Sequence, residues 1–156
     1  KIFFFENLEI INNIFICDSL KNIYIRLEYE INNINSMIKN KKLFSMFEDE
    51  LIAKKKFLDN IIKSLGTCSP LSLFIFFEYF KIGKETAHIL PIYKLDRDLF
   101  HKMVMDSDFF EGIRSILVEK DKKKNWKYKS LSEINFDKIY KKYFGEEYTN
   151  IGNPKF

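Results

Sequence analysis

Apolar residues recur along this chain at helical spacing, and no stretch alternates apolar and polar residues long enough to make a strand. After Asp18 and Ser19, either of which can cap a helix, Leu20, Ile23, Tyr24 and Leu27 fall on one face at i, i+3, i+4 and i+7. Leu51, Phe57, Leu58, Ile61, Ile62 and Leu65 give a second stripe over residues 46–65, with Gly66 placed to end it as a C′ glycine. A short apolar helix is expected earlier, over residues 6–15. Between these stripes the Asn-rich segment 32–40 reads as low complexity, and residues 32–45 are expected to form a mobile insertion.

The second half is punctuated more sharply. Ser69-Pro70 reads as an N-cap followed by proline at N1, where its missing N–H costs nothing. The helix behind it, residues 71–81, is apolar nearly all round and is expected to be covered on most sides. A further helix over residues 84–105 contains Pro91, which kinks it or delays its start. Asp106-Ser107-Asp108 is a polar break, with Ser107 or Asp108 as the cap of a helix over residues 109–118. A lysine-rich loop, 120–129, leads to a last short helix over residues 136–144, and the tail beyond Gly145 is expected to fray. The pattern predicts one all-α domain of about six helices over residues 1–156. Its expected core includes Leu51, Leu58, Leu65, Leu73, Phe77, Leu99, Ile113 and Leu117.

Composition narrows this picture in three ways. Hydrophobic residues make up 46% of the chain, with 17 Phe and 8 Tyr, so a packed core is expected. Five Gly and three Pro are too few for a many-turned β sandwich. Arginine stands only at Arg26, Arg97 and Arg114, and the bias to Lys, Asn, Ile and Phe suggests an AT-rich coding sequence, so pattern weighs more than propensity. The formal charge of +4 is modest and points to solvated faces, not to a nucleic-acid partner. No apolar run, the opening Lys1-Ile2-Phe3-Phe4-Phe5 included, reaches the roughly 18 residues of a membrane span. A chain beginning at Lys1 reads as a piece of a longer protein.

Candidate chemistry is sparse. Cys17 and Cys68 form no metal-binding or redox motif and are expected as buried thiols, in keeping with a reducing compartment. His88 and His101 lack a partner at ligand spacing, so no metal site is expected. Asp108 followed three residues later by Glu111 reads as a capping-box-like pair. A carboxylate in a helix's first turn is held charged by the dipole, which is the wrong direction for a general acid. Gly112 is expected to permit close packing. Arg114 either bridges carboxylates or approaches a ligand.

Three segments in order carry a family resemblance. Ser69-Pro70-Leu71-Ser72-Leu73 is similar to an SPxSL turn, Asp108 to Arg114 to DFxEGxR, and Val118-Glu119-Lys120-Asp121 with Asn125-Trp126-Lys127 to a (I/V)(D/E)KD…xWK ending. Together they resemble the C-terminal helical region of the 3-hydroxyisobutyryl-CoA hydrolase branch of the crotonase (enoyl-CoA hydratase/isomerase) superfamily. The resemblance spans roughly residues 3–144, upstream segment 19–28 included, and fails across 32–50. Five residues between Glu111-Gly112 and Val118, the aspartate after Lys120, and Trp126 favour the hydrolase over the hydratase branch. The chain departs from the family at Phe74, where a basic residue is common, and at Pro91.

The resemblance implies an enzyme whose catalytic half, with the backbone oxyanion hole that stabilises charge on a thioester oxygen, lies outside this chain. This region would then contribute no catalytic residue, cofactor or metal of its own. It would pack on the missing N-terminal core, shape the acyl-CoA site and build subunit contacts in a homo-oligomer. By the same likeness Lys120, helped by Lys122, Lys123 and Lys124, meets CoA phosphates, and Leu117 makes an apolar contact where relatives carry an aromatic. A mitochondrial location is implied by the family's place in valine breakdown, with a cytoplasmic one as the alternative. The rival readings are a hydratase or isomerase of the same fold, a non-catalytic helical interaction module, and, more weakly, a basic nucleic-acid binder.

Overall fold

The computed structural model describes residues 7–121 and 123–145, and among them the regular structure is helical with no strand. Seven α-helices follow in order: α1 (Leu8–Phe15), α2 (Leu20–Lys39), α3 (Lys41–Thr67), α4 (Pro70–Glu85), α5 (Ile89–Val104), α6 (Ser107–Ile113) and α7 (Phe136–Phe144). A π turn, Arg114–Val118, continues α6, and a 3-10 turn, Leu131–Glu133, precedes α7. The chain divides into two compact units, one up to Gly66 and one from Thr67 onward. The apolar opening at residues 1–5, the tail beyond Gly145 and Lys122 lie outside the described residues.

In the first unit, Ser19 caps α2, its Oγ accepting from the Asn22 N–H at 3.2 Å. Leu20, Ile23, Leu27 and Ile34 of α2 are buried with Ile14 of α1 and Leu51 and Leu58 of α3. Arg26 fastens the two shorter helices, donating to the Asn13 carbonyl at 2.8 Å. The loop expected within the Asn-rich segment 32–40 is a correction: α2 runs unbroken to Lys39, and the chain turns only at Asn40 before α3. Ile34 is 5% exposed. Leu27, Ile31, Ile34 and Ile38 keep a helical stride, so Asn32 and Asn33 fill exposed positions without breaking the apolar face. Lys55 of α3 donates to Asn35 Oδ1 at 2.9 Å.

Two local readings also change in α3. The helix carries a non-helical residue at Phe47 (φ −133°, ψ 29°), next to the expected start at 46. It passes through Gly66 to Thr67, and among the described residues the glycine that does adopt a left-handed φ is Gly145, at +72°, ending α7.

The second unit begins where the sequence signals are clearest. Ser69 caps α4, its Oγ accepting from the Ser72 N–H at 3.1 Å, and Pro70 is the first helical residue. The buried stripe of α4 is Leu71, Phe74, Ile75, Glu78 and Ile82. Its other side is uncovered, with Phe80 69% exposed and Phe76 half exposed, so the expectation of cover on most sides does not hold. Pro91 sits in the first turn of α5, where backbone N–H groups have no intrahelical partner; it marks a delayed start and makes no kink. Helix α7 buries Ile139, Tyr140, Tyr143 and Phe144, and Phe136 meets Phe74 with ring centroids 4.8 Å apart. Of the expected core, Leu51, Leu58 and Leu99 are buried, while Leu65, Leu73, Phe77 and Ile113 are half-buried. Leu117 is a correction: at 65% exposed it lies on the surface of the π turn, outside any core.

Candidate functional site

The break before α6 is capped earlier than the chain pattern suggests, one residue before Ser107 and two before Asp108. Asp106 is the N-cap, its carboxylate accepting from the Asp108 N–H at 3.5 Å. Three polar residues in a row all suit a cap, and packing selects the first, because Asp106 also accepts from Tyr143 Oη at 2.9 Å and from Lys142 at 3.1 Å. Lys127 Nζ lies 3.6 Å from the same carboxylate. Burial alone would raise the Asp106 pKa, but the hydrogen bonds from Tyr143 and Lys142 outweigh it and hold it below the ordinary range.

With the cap at Asp106, the expected capping box dissolves and both of its members take other work. Asp108 is buried and joins the three segments that carry the family resemblance. One oxygen accepts from Ser69 Oγ at 2.5 Å and the other from the Lys127 N–H at 2.8 Å. The start of α4, the start of α6 and the far end of the lysine-rich loop therefore meet at one carboxylate.

Glu111 falls in the middle of α6, one helical turn before Arg114. The two form a fork: Nη2 to Oε1 and Nε to Oε2, each at 2.8 Å. Oε1 also accepts from the Asn125 N–H at 2.6 Å. The Arg114 bonds, then the Asn125 amide, lower the Glu111 pKa to about 2. It is a fixed anion, the state argued from its helix position, although the arginine is the main cause. Arg114 Nη1 reaches Asp121 at 3.1 Å and also pairs with Glu119, while Nη2 donates to the Lys123 carbonyl at 2.6 Å. Of the two roles open to Arg114, bridging carboxylates is the one its contacts describe.

The loop lies against α6 on both polar and apolar contacts. Trp126 packs over Gly112, where an added Cβ would stand 3.7 Å from the ring. That is ordinary contact, so Gly112 is not required by closeness. Lys124 donates to the Thr67 carbonyl at 2.8 Å and sits 5.5 Å from the Trp126 ring centre.

Lys120 stands in sequence between Glu119 and Asp121, both paired with Arg114 Nη1. Its backbone is left-handed, φ 54°, the single non-glycine case among the described residues, and its side chain is exposed. The preceding π turn is closed by the Glu119 N–H donating to the Arg114 carbonyl at 2.8 Å. Ile116, Leu117 and Val118 on that turn are exposed, which leaves an apolar surface next to the lysine in sequence. A separate apolar groove of about 310 Å³ is lined by Ile75, Phe76, Leu99, Phe100, Met103 and Phe109, among others.

Other candidates have plain environments. Cys17 is half-buried and Cys68 exposed, neither in a disulfide, so the buried-thiol expectation fails for Cys68. His88 and His101 are exposed. Among the described residues no cluster could hold a metal, and no single helix is long and apolar enough to cross a membrane. The element that sequence reasoning undervalued is α7. Its signal was present, since Phe136, Ile139, Tyr140, Tyr143 and Phe144 follow the helical stride.

A family model described as enoyl-CoA hydratase/isomerase matches residues 6–144. Among curated proteins, the chain is similar to "3-hydroxyisobutyryl-CoA hydrolase, mitochondrial" of Xenopus laevis, 28% identical over 127 residues, covering 81% of this chain and 31% of that protein. The protein of the same name from Dictyostelium discoideum is 30% identical over 95 residues, 61% of this chain and 24% of that one. The chain thus spans about a quarter to a third of the length of these relatives. No solved structure matches it.

Proposed function

This chain belongs to the enoyl-CoA hydratase/isomerase family, and from that premise we propose that it serves as the helical region of an enzyme that hydrolyses 3-hydroxyisobutyryl-CoA or a similar short hydroxyacyl-CoA thioester. The observation that carries the reading is the carboxylate of Asp108, where the family-like SP, DFxEGxR and WK segments are bonded together. Relatives named for that hydrolase, and named mitochondrial, support both the substrate class and a mitochondrial location.

In this reading the catalytic groups lie on a core outside this chain, and the thioester oxygen is stabilised there by backbone donors. Residues of this chain bind. Lys120 contacts a CoA phosphate as a point charge, and Leu117 gives an apolar contact at the adenosine end. Their exposure, and the apolar surface of Ile116 and Val118 between and beside them, support this pairing. Lys124 is already engaged with Thr67 and Trp126, so it contributes less than a free lysine would. The uncovered apolar face of α4 and the groove beside it suit contact with the core or with another subunit.

The test is an assay of the complete protein on two substrates. Free thiol should appear from 3-hydroxyisobutyryl-CoA, with no hydration of crotonyl-CoA. Hydration without thiol release would move the protein to the hydratase branch. Activity on neither, with the fold intact, would favour a helical interaction module.

A further inference from the structure

Lys120 is held in an unfavourable backbone conformation by a side chain six residues away. A left-handed φ on a residue with a Cβ is disfavoured and persists where surrounding contacts determine it. The residues on either side of Lys120 supply those contacts: Glu119 and Asp121 both pair with Nη1 of Arg114. Nη2 of the same guanidinium holds the Lys123 carbonyl, and the Asp121 carboxylate accepts from the Lys123 N–H at 2.9 Å. Arg114 is itself anchored to α6 through the Glu111 fork. The chain around Lys120 is therefore clamped at both flanks from one rigid point.

Four residues supply acceptors to this guanidinium, so it has no need of a ligand, and Glu111, Glu119 and Asp121 more than offset its charge. We propose that Arg114 is a positioning residue, which fixes the Lys120 backbone and so presents its ammonium to an anionic group of acyl-CoA. This rests on Lys120 as a phosphate contact. It adds that the contact depends on Arg114, which itself touches no ligand.

A preorganised cation binds an anion more tightly than a floppy one because less freedom is lost on binding. Loss of the clamp should then weaken binding through Lys120 alone. The complete protein and free coenzyme A, in titration calorimetry at low salt, provide the test. Lys120→Ala should raise Kd about tenfold, as for loss of a charge-assisted hydrogen bond. Arg114→Gln should raise it by a similar or smaller factor, about fivefold. In the double variant, Arg114→Gln should add nothing beyond Lys120→Ala. The paired change Glu119→Gln with Asp121→Asn frees the loop while leaving the Glu111–Arg114 fork in place, and it carries the test if Arg114→Gln does not fold. It also separates the clamp from plain charge: removing two anions would tighten CoA binding by field alone, whereas loss of the clamp weakens it about threefold. An unchanged Kd in Arg114→Gln overturns the positioning role but leaves Lys120 as a contact. So does an Arg114→Gln effect that persists undiminished without Lys120, or tighter binding by the paired variant. An unchanged Kd in Lys120→Ala overturns the phosphate contact and the positioning role together.

Discussion

Helix α2 and the loop at 119–129 keep their shapes by opposite means. The helix rests on burial: Leu20, Ile23, Leu27 and Ile34 face inward, and the asparagines among them are exposed. The loop has few buried side chains. Besides Trp126 on Gly112, it is held by separate polar attachments, with Asp108 on Lys127, Glu111 on Asn125 and Arg114 on Asp121 and Lys123. Burial is shared among many contacts and tolerates change on the outer face. A tether fails all at once when one of its ends is removed.

The contrast is broken most severely by Leu27→Ala. Leu27 is buried and its loss leaves a cavity, so unfolding free energy in urea should fall by about 3 kcal/mol. A drop under about 1 kcal/mol would mean that α2 is not held by this stripe.

Asp108→Ala comes next, with an expected loss of about 2 kcal/mol, because the Ser69 hydroxyl and the Lys127 N–H lose their acceptor. Its signature should be local. Amide exchange should quicken at Lys127 while the core amides of α7 keep their order of protection.

This carboxylate also marks where sequence reading ends. Ser69-Pro70 identifies the start of α4 from neighbouring residues alone, since cap and proline act within one turn. The order of the three family-like segments was legible too. What joins them was not: Asp108 pairs with groups 39 and 19 residues away, and nothing local distinguishes it from Asp106 as a cap. In the Asn-rich segment the opposite error arose, because composition suggested a loop while the isoleucine stride, which packing obeys, was helical. The core positions of α7 were in the pattern, but a nine-residue helix gains its burial from partners that the pattern does not name.

A third prediction sharpens the comparison through pH. The Glu111 pKa lies near 2 in the folded chain against an ordinary 4.5. A depressed carboxylate contributes stability that is present above the unfolded value and lost as pH falls toward the folded one. The loop should therefore loosen between pH 4.5 and about 2 while α2, which has no such group in its buried stripe, does not follow. Trp126 is the sole tryptophan and rests against Gly112, so its emission should shift to longer wavelength over that window. A spectrum unchanged across it would separate Trp126 from the Glu111 fork.

The smallest effect is expected on the outer face of α2. Asn32→Ala should stabilise slightly, by about 0.5 kcal/mol, since alanine is the better helix former and Asn32 is exposed. A loss of stability instead would give the asparagines a role beyond filling the surface.

The left-handed backbone at Lys120 has a consequence for proteolysis. Trypsin cuts after lysine, and a protease takes its substrate as an extended strand several residues long, which the chain must be able to lay into the cleft. Lys120 is exposed, yet its backbone is left-handed and both its neighbours are fastened to one arginine. The bond after it should be cut slowly in the native chain despite the wealth of lysines around it. Release of the clamp by Arg114→Gln should turn the same bond into an early site of cleavage, so that the integrity of this loop can be read from the sizes of two fragments.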